Sequence, residues 1–334
     1  MVDAASVPRF TETDEYPDTI PMLQNGWPPT GGPVNVLSDQ GLLNWPLQLL
    51  TNRTHNLDNR LNEMALTAGS LVTIGPGGDY GTINLALADL SGRRPAYAPG
   101  GFTTTLRLLS GFVMAEQVLL SAVNLGWLTI SSEDAEVFID RAYLNTEFGS
   151  GYPAFGASGG GVIPQIDAQF VMMATGPAEG RFGIHAFNGA GGRVISGGVR
   201  NCGSHGIMLQ TSGTLDANNS DFSNAGGCGL YALGGTRASV QSAVLSGAGQ
   251  DGIASSSAAT VHATTADCSG AAGRGIFATR GGTVNARGAL ARIGAADSTS
   301  DFVVSEGGTI TANGGTGGTS ISPNTVTGSG IIFK

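Results

Sequence analysis

The chain has 334 residues, of which only 12% are charged, and its 16 basic and 25 acidic side chains leave a net charge of −9. A hydrophobic fraction of 41% is enough for a substantial core and argues against charge-driven disorder, while 54 glycines without an every-third spacing exclude collagen and point to a chain that turns many times. Lys334 is the only lysine, so no basic stripe is available to neutralise phosphates and a nucleic-acid surface is disfavoured.

Residues 1–38 mix prolines, glycines and acidic side chains with little periodicity, including GWPPTGGP at 26–33. They read as an extended arm or attachment region that orders on a partner. The first twenty residues have neither a basic start nor an apolar run, and no stretch reaches the roughly 18 apolar residues needed to cross a bilayer, so neither a signal peptide nor membrane insertion is expected.

Residues 39–68 read as a helical neck. Leu43, Leu47, Leu50, Thr54, Leu57, Leu61 and Met64 alternate at spacings of four and three, and Pro46 falls in the first turn, where its missing N–H costs least. The flanking Asn52, Arg53, Asn56, Asp58, Asn59, Arg60 and Asn62 leave little second apolar face, which favours a short parallel coiled coil over a helix lying on its own domain. Leucine along the seam does not set the number of chains.

From residue 69 to 334 short β-branched runs are punctuated by glycine. TINLALADL at 82–90 is the exception, a helix of about two turns placed to cover the open end of a repeating β region. Strands are expected around 128–130 and 137–139, and 145–165 (NTEFGSGYPAFGASGGGVIPQ) reads as a lateral loop. The large aromatics Phe102, Phe112, Trp127, Phe148, Tyr152, Phe155 and Phe170 gather in this earlier half, where core or interface packing is their simplest use.

The strongest signal is a 23-residue period over 183–297. Gly183-Ile184, Gly206-Ile207, Gly229-Leu230, Gly252-Ile253 and Gly275-Ile276 form one series; Val199, Phe222, Leu245, Cys268 and Ala291 form a second; Leu215, Ala238, Val261 and Val284 form a third. The next repeat is enlarged by three, since Thr283-Val284 recurs as Thr309-Ile310. Twenty-three residues hold three short strands and their corners and lack the helical half of a helix-pair or leucine-rich repeat. The predicted fold is therefore all-β: a single-stranded parallel β-helix of 23-residue coils, right-handed by the usual crossover preference, with glycine supplying corners or tight backbone passages.

In these features the chain resembles bacteriophage or prophage tail spikes and short tail fibres of the pectate-lyase-like β-helix type. The resemblance runs from GLLNWPLQLLTNRTHNLDNRL at 41–61, through LVTIGPGGDYGTINLALADL at 71–90, to GSGIIFK at 328–334. It implies a homotrimer in the virion tail or baseplate, made in the bacterial cytoplasm before assembly. It also implies an N-terminal part attached to a tail or baseplate protein and a β-helix that faces a host polysaccharide or lipopolysaccharide. Such proteins bind the glycan, or cleave it as hydrolases or lyases. A purely structural tail connector remains a further reading.

No catalytic motif of that family maps onto this sequence, so candidates rest on the period. Asp221 and Asp267 lie two periods apart, about 9.6 Å in a regular coil, near the upper edge of an inverting glycosidase separation. Both are expected to point outward, since each precedes a core-like residue, Phe222 or Cys268. They are the catalytic candidates carried forward, and solvated or interface carboxylates are their plainer reading. Phe182, His205, Cys228, Asp251 and Arg274 form another column, containing the residue types of a thiol nucleophile system in an order unsuited to it, with cysteine between histidine and aspartate. A stacked corner cluster fits better. His185 and His262 are expected to be structural or solvent-facing, with ligand contact as the alternative. Glu133, Asp134, Glu136 and Asp140 form either a solvated edge or a calcium site bridging to an anionic glycan. No cofactor is specified. The three cysteines, Cys202, Cys228 and Cys268, are too few for a disulfide framework and are expected as buried thiols.

Overall fold

A repeat that cannot bury its apolar face alone must stack on its neighbour, and the register of that stacking is visible residue by residue. The computed structural model describes residues 50, 53–55, 57, 65–66, 70–95, 104–291, 301–315 and 325–333. Ile184 pairs with Ile207, Ile207 with Leu230, Leu230 with Ile253 and Ile253 with Ile276, always in parallel. Leu215, Ala238, Val261 and Val284 form an equivalent parallel ladder. The enlarged repeat is absorbed without loss of register, since Ile276 pairs with Phe302 and Val284 with Ile310.

These ladders belong to two large parallel sheets of nine and thirteen strands, between which the chain passes alternately along the regular repeats. The first sheet runs from Val118–Ser121 to Thr325–Val326, the second from Leu71–Ile74 to Ile331–Phe333. A third, thinner ladder consists of single parallel bridges joining Asp221 to Val244, Val244 to Asp267 and Asp267 to Leu290. Earlier repeats are longer and uneven: Leu71 pairs with Thr105 and Thr104 with Leu128, and a bulge interrupts the pairing at Ile166 and Asp167.

The side chains between the ladders form columns as regular as the strands. Val199, Phe222, Leu245, Cys268 and Ala291 are all buried, as are Ala217, Val240, Ala263 and Ala286. Alanine is frequent in the later repeats, whereas Phe155 and Phe170 fill the earlier ones edge to face with centroids 5.1 Å apart. The corners need left-handed backbone at fixed positions. Two consecutive residues have positive φ in each repeat, for instance Thr211-Ser212 (44° and 62°), Ser257-Ala258 (53° and 63°) and Arg280-Gly281 (49° and 73°). Most of these residues are not glycine, so the stacked hydrogen bonds hold a conformation that costs L-residues roughly 1–2 kcal/mol each. The glycine of the Gly-Ile series serves another purpose. A Cβ on Gly252 would lie 2.5 Å from Cys268 Cβ and 2.6 Å from the Gly275 carbonyl oxygen, so this column exists because backbone presses on the buried column beside it.

The expected helix is present as Ile83–Ser91, capped by the Thr82 hydroxyl, with Ile83, Ala86, Leu87 and Leu90 buried. The Glu116 carboxylate accepts the backbone N–H groups of Ile83 (2.6 Å) and Asn84 (3.0 Å), and burial raises its pKa. The lateral-loop reading of 145–165 needs correction. Tyr152–Ser158 is a strand of the nine-stranded sheet, paired with Val118–Ser121 and Arg181–Ala186. Its alternation was hidden because small residues, Ala154, Gly156 and Ala157, occupy positions buried on both faces.

The described residues divide into two compact units. The smaller contains residues 50, 53–55 and 57, which are helical, and a parallel pairing of Ala65–Leu66 with Arg94–Pro95, so the neck segment ends in a strand. Leu50 and Leu57 are half-exposed. The remaining heptad leucines, Leu43, Leu47 and Leu61, with Met64, lie outside the described residues, as do the arm 1–38 and Phe102.

Two substitutions test the inward and outward assignment. Val261 is fully buried and His262 exposed on the same short strand. Val261→Asp should cost at least about 4 kcal/mol in a denaturation experiment, and His262→Asp should stay within about 0.5 kcal/mol. Comparable losses would reverse the assignment. Gly252→Val should also be strongly destabilising, through overlap with Cys268 rather than through an inaccessible φ.

Candidate functional site

On each short strand of the nine-stranded sheet the central residue points away from the interior. The resulting outer ladder reads His185, Met208, Tyr231, Ala254, Phe277 and Val303. Its first part is covered. Phe148 lies over Gly156, where any Cβ would come within 2.7 Å of the ring, and packs edge to face on Phe187 at 5.2 Å. His185 beneath is fully buried, with Nδ1 3.0 Å from the Phe148 carbonyl and Nε2 3.0 Å from the side-chain amide of Gln210. Burial lowers its pKa. His185 is therefore a satisfied structural residue.

Further along the same sheet lies a groove of about 410 Å³. Tyr231 and Phe277 stand on either side of Ala254 in its floor, two strands apart, and Gln250, Ser256, Thr279, Ser305, Arg280 and Glu306 contribute polar walls. The corner column closes one side. Each of its members precedes a glycine of the Gly-Ile series, and the inward passage at that glycine leaves the preceding side chain at the rim. His205 stacks on Phe182 with centroids 5.4 Å apart, and its Nδ1 accepts the Cys228 backbone N–H at 2.9 Å. Its pKa is lowered to about 4, chiefly by burial and then by nearby His185, against a smaller opposing effect of Asp251.

Asp251 is buried and anchored. Oδ1 accepts from Arg274 Nε (2.8 Å) and from the Arg274 backbone N–H (2.9 Å), while Oδ2 accepts from Arg274 Nη2 (2.7 Å). The guanidinium lies 3.4 Å from the Phe277 ring centroid. Arg280 Nε pairs with Glu306 Oε2 at 3.0 Å on the exposed rim. The thiol-nucleophile reading of this column fails on geometry and on acidity. The Cys228 thiol faces Gln250 Oε1 at 3.8 Å, and its pKa is pushed up to about 12, first by burial and then by Asp251. Cys202 and Cys268 are likewise buried and raised by desolvation.

Asp221 and Asp267 share the third ladder with Val244 between them, two strand spacings apart as the period implied. Both are partly exposed. Each carboxylate closes its own corner by accepting a backbone N–H at 2.9 Å, from Ser223 and Ser269 respectively. Asp221 Oδ2 also lies 3.7 Å from Arg200 Nη1, and Arg200 pairs with Glu136. Neither aspartate lines the groove. In the acidic cluster, Glu133 accepts the Ser110 N–H, Asp134 accepts the Ser110 hydroxyl and the Gly111 N–H, and Asp140 accepts from Ala142 and Thr175. Among the described residues no three His, Cys, Asp or Glu side chains converge as a ligand set.

Tyr231 and Phe277 were missed by sequence reasoning, which weighed only the aromatics of the earlier half. The available signal was their spacing of two periods with alanine midway. No protein-family model and no curated protein matches the chain.

The His205 environment makes stability depend on pH. Its folded pKa lies below the ordinary value of 6.5, so as pH falls through 6.5 the unfolded chain takes up the proton first. The contribution is complete above pH 6.5 and is lost towards pH 4, on the order of 3 kcal/mol in all. His205→Gln should show a shallower fall in melting temperature between pH 6.5 and 4 than the wild type. Parallel curves would remove His205 as a source of the dependence.

Proposed function

We propose that this chain is a receptor-binding tail spike or tail fibre of a bacteriophage or prophage, built on a right-handed parallel β-helix and recognising a host cell-surface glycan. The observation that carries the reading is the groove: two aromatic rings flank a shallow notch, with a buried aspartate hydrogen-bonded to a partly exposed arginine at its side. Aromatic faces stack on the apolar faces of sugars, and fixed polar groups around them discriminate hydroxyl positions. Three parallel ladders with a common period support the β-helix, and the handedness follows from the crossover preference.

The particle is proposed as a homotrimer located in the virion tail or baseplate. The heptad spacing and the exposure of Leu50 and Leu57 support self-association, and the number three follows from the family resemblance. The N-terminal arm would bind the tail or baseplate protein. Calcium has no assigned role.

Light scattering on the full chain should give a mass near three times 33.7 kDa, about 101 kDa. A monomer at micromolar concentration would overturn the trimer.

Binding is tested by exposing the full-length protein to host capsule, lipopolysaccharide and isolated surface glycans, with and without calcium. Reversible binding without bond cleavage is expected, since Asp221 and Asp267 are committed to their corners. Release of reducing ends would indicate a hydrolase, and unsaturated ultraviolet-absorbing products a lyase. Loss of turnover in Asp221→Asn or Asp267→Asn with folding and binding retained would then assign the carboxylates. Neither binding nor turnover would favour a structural connector.

A further inference from the structure

The groove contains more information than the presence of aromatic rings. Tyr231, Ala254 and Phe277 are direct register partners on three successive parallel strands, so the Tyr231 and Phe277 backbones lie about 9.6 Å apart along the stacking direction, and the Tyr231 ring packs against His205 with centroids 5.3 Å apart. One strand spacing, about 4.8 Å, is close to the advance of one sugar in an extended glycan. Ala254 is buried between the rings, which leaves a notch one strand wide. Arg274 occupies one face of Phe277, whose side chain is partly exposed in the groove.

The charges of the groove compensate each other. Its two cations, Arg274 and Arg280, are each bonded to a carboxylate, Asp251 and Glu306. The His205 ring accepts a backbone N–H at Nδ1, so in its neutral form its proton resides on Nε2, and the imidazole is a donor without charge. A ligand carboxylate would find no uncommitted cation among these lining residues and would approach a chain of net charge −9. Hydroxyl groups suit the site, because they can donate to and accept from paired ionic groups without having to break them.

Resting on the glycan-binding reading above, we infer that the groove takes an uncharged oligosaccharide running along the stacking direction, with sugars one and three on Tyr231 and Phe277 and the middle sugar in the notch over Ala254.

The test is a glycan array of neutral and acidic oligosaccharides, from single sugars to hexasaccharides, probed with the full-length chain and followed by calorimetry on the bound compounds. Neutral compounds should bind, with affinity rising about tenfold or more from disaccharide to trisaccharide and little thereafter. Tyr231→Ala and Phe277→Ala should each weaken trisaccharide binding about tenfold while leaving disaccharides nearly unchanged. Ala254→Phe, which fills the notch, should abolish binding. Should that variant fail to fold, the two aromatic truncations, at partly exposed positions, carry the test alone.

Preference for acidic glycans, absence of the trisaccharide step, or binding indifferent to both truncations would overturn this inference and leave glycan recognition standing. Absence of binding in every arm would overturn both.

Discussion

The structure depends on one constraint, the in-register parallel hydrogen bonding of each turn to the next. Because a strand can pair only with the equivalent strand one repeat away, whatever occupies a position in one turn is stacked on its counterpart in the neighbouring turns. Buried columns such as Val199 to Ala291 must then be apolar throughout and limited in size. Corner residues must adopt left-handed backbone even where they are serine, threonine or arginine. The cooperative ladder compensates for that local strain, and glycine is also required where backbone presses on a neighbouring turn, as at Gly252.

The same stacking generates the groove. An outer ladder on a regular sheet is uniform by construction, and features arise only where side-chain size changes or a cover ends. Phe148 and its neighbours close the ladder over His185, which is consequently desolvated and held between the Phe148 carbonyl and Gln210. Farther on, alanine between tyrosine and phenylalanine lowers the surface by most of a ring. The corner column then places an anchored aspartate beside the depression, because the following glycine draws the backbone inward.

Electrostatics separates the groups available to a ligand from those used by the fold. Asp221, Asp267, Asp134 and Asp140 all accept backbone N–H groups at corners, which makes them part of the scaffold. Cys228 is held as a thiol by burial, and His205 as an imidazole. What remains at the groove is a hydrogen-bonding surface with two rings and internally paired charges.

The period, the strand register, the interior columns and the helix at 83–91 could all be read from the chain, because stacking makes contacts between residues a fixed number apart and so writes three-dimensional neighbours into sequence spacing. Val261 and His262 could be assigned to opposite faces for the same reason. The strand at 152–158 could not, since a segment buried on both faces loses the alternation that marks a half-exposed strand. The pairing of the corner column was half legible: the spacing of 23 brought His205, Cys228, Asp251 and Arg274 into line, but only side-chain geometry decided that arginine would clamp aspartate and that a backbone N–H would occupy the histidine. The groove itself belonged to the tertiary structure, because it depends on where the Phe148 segment stops covering the sheet, a relation between residues that share no period.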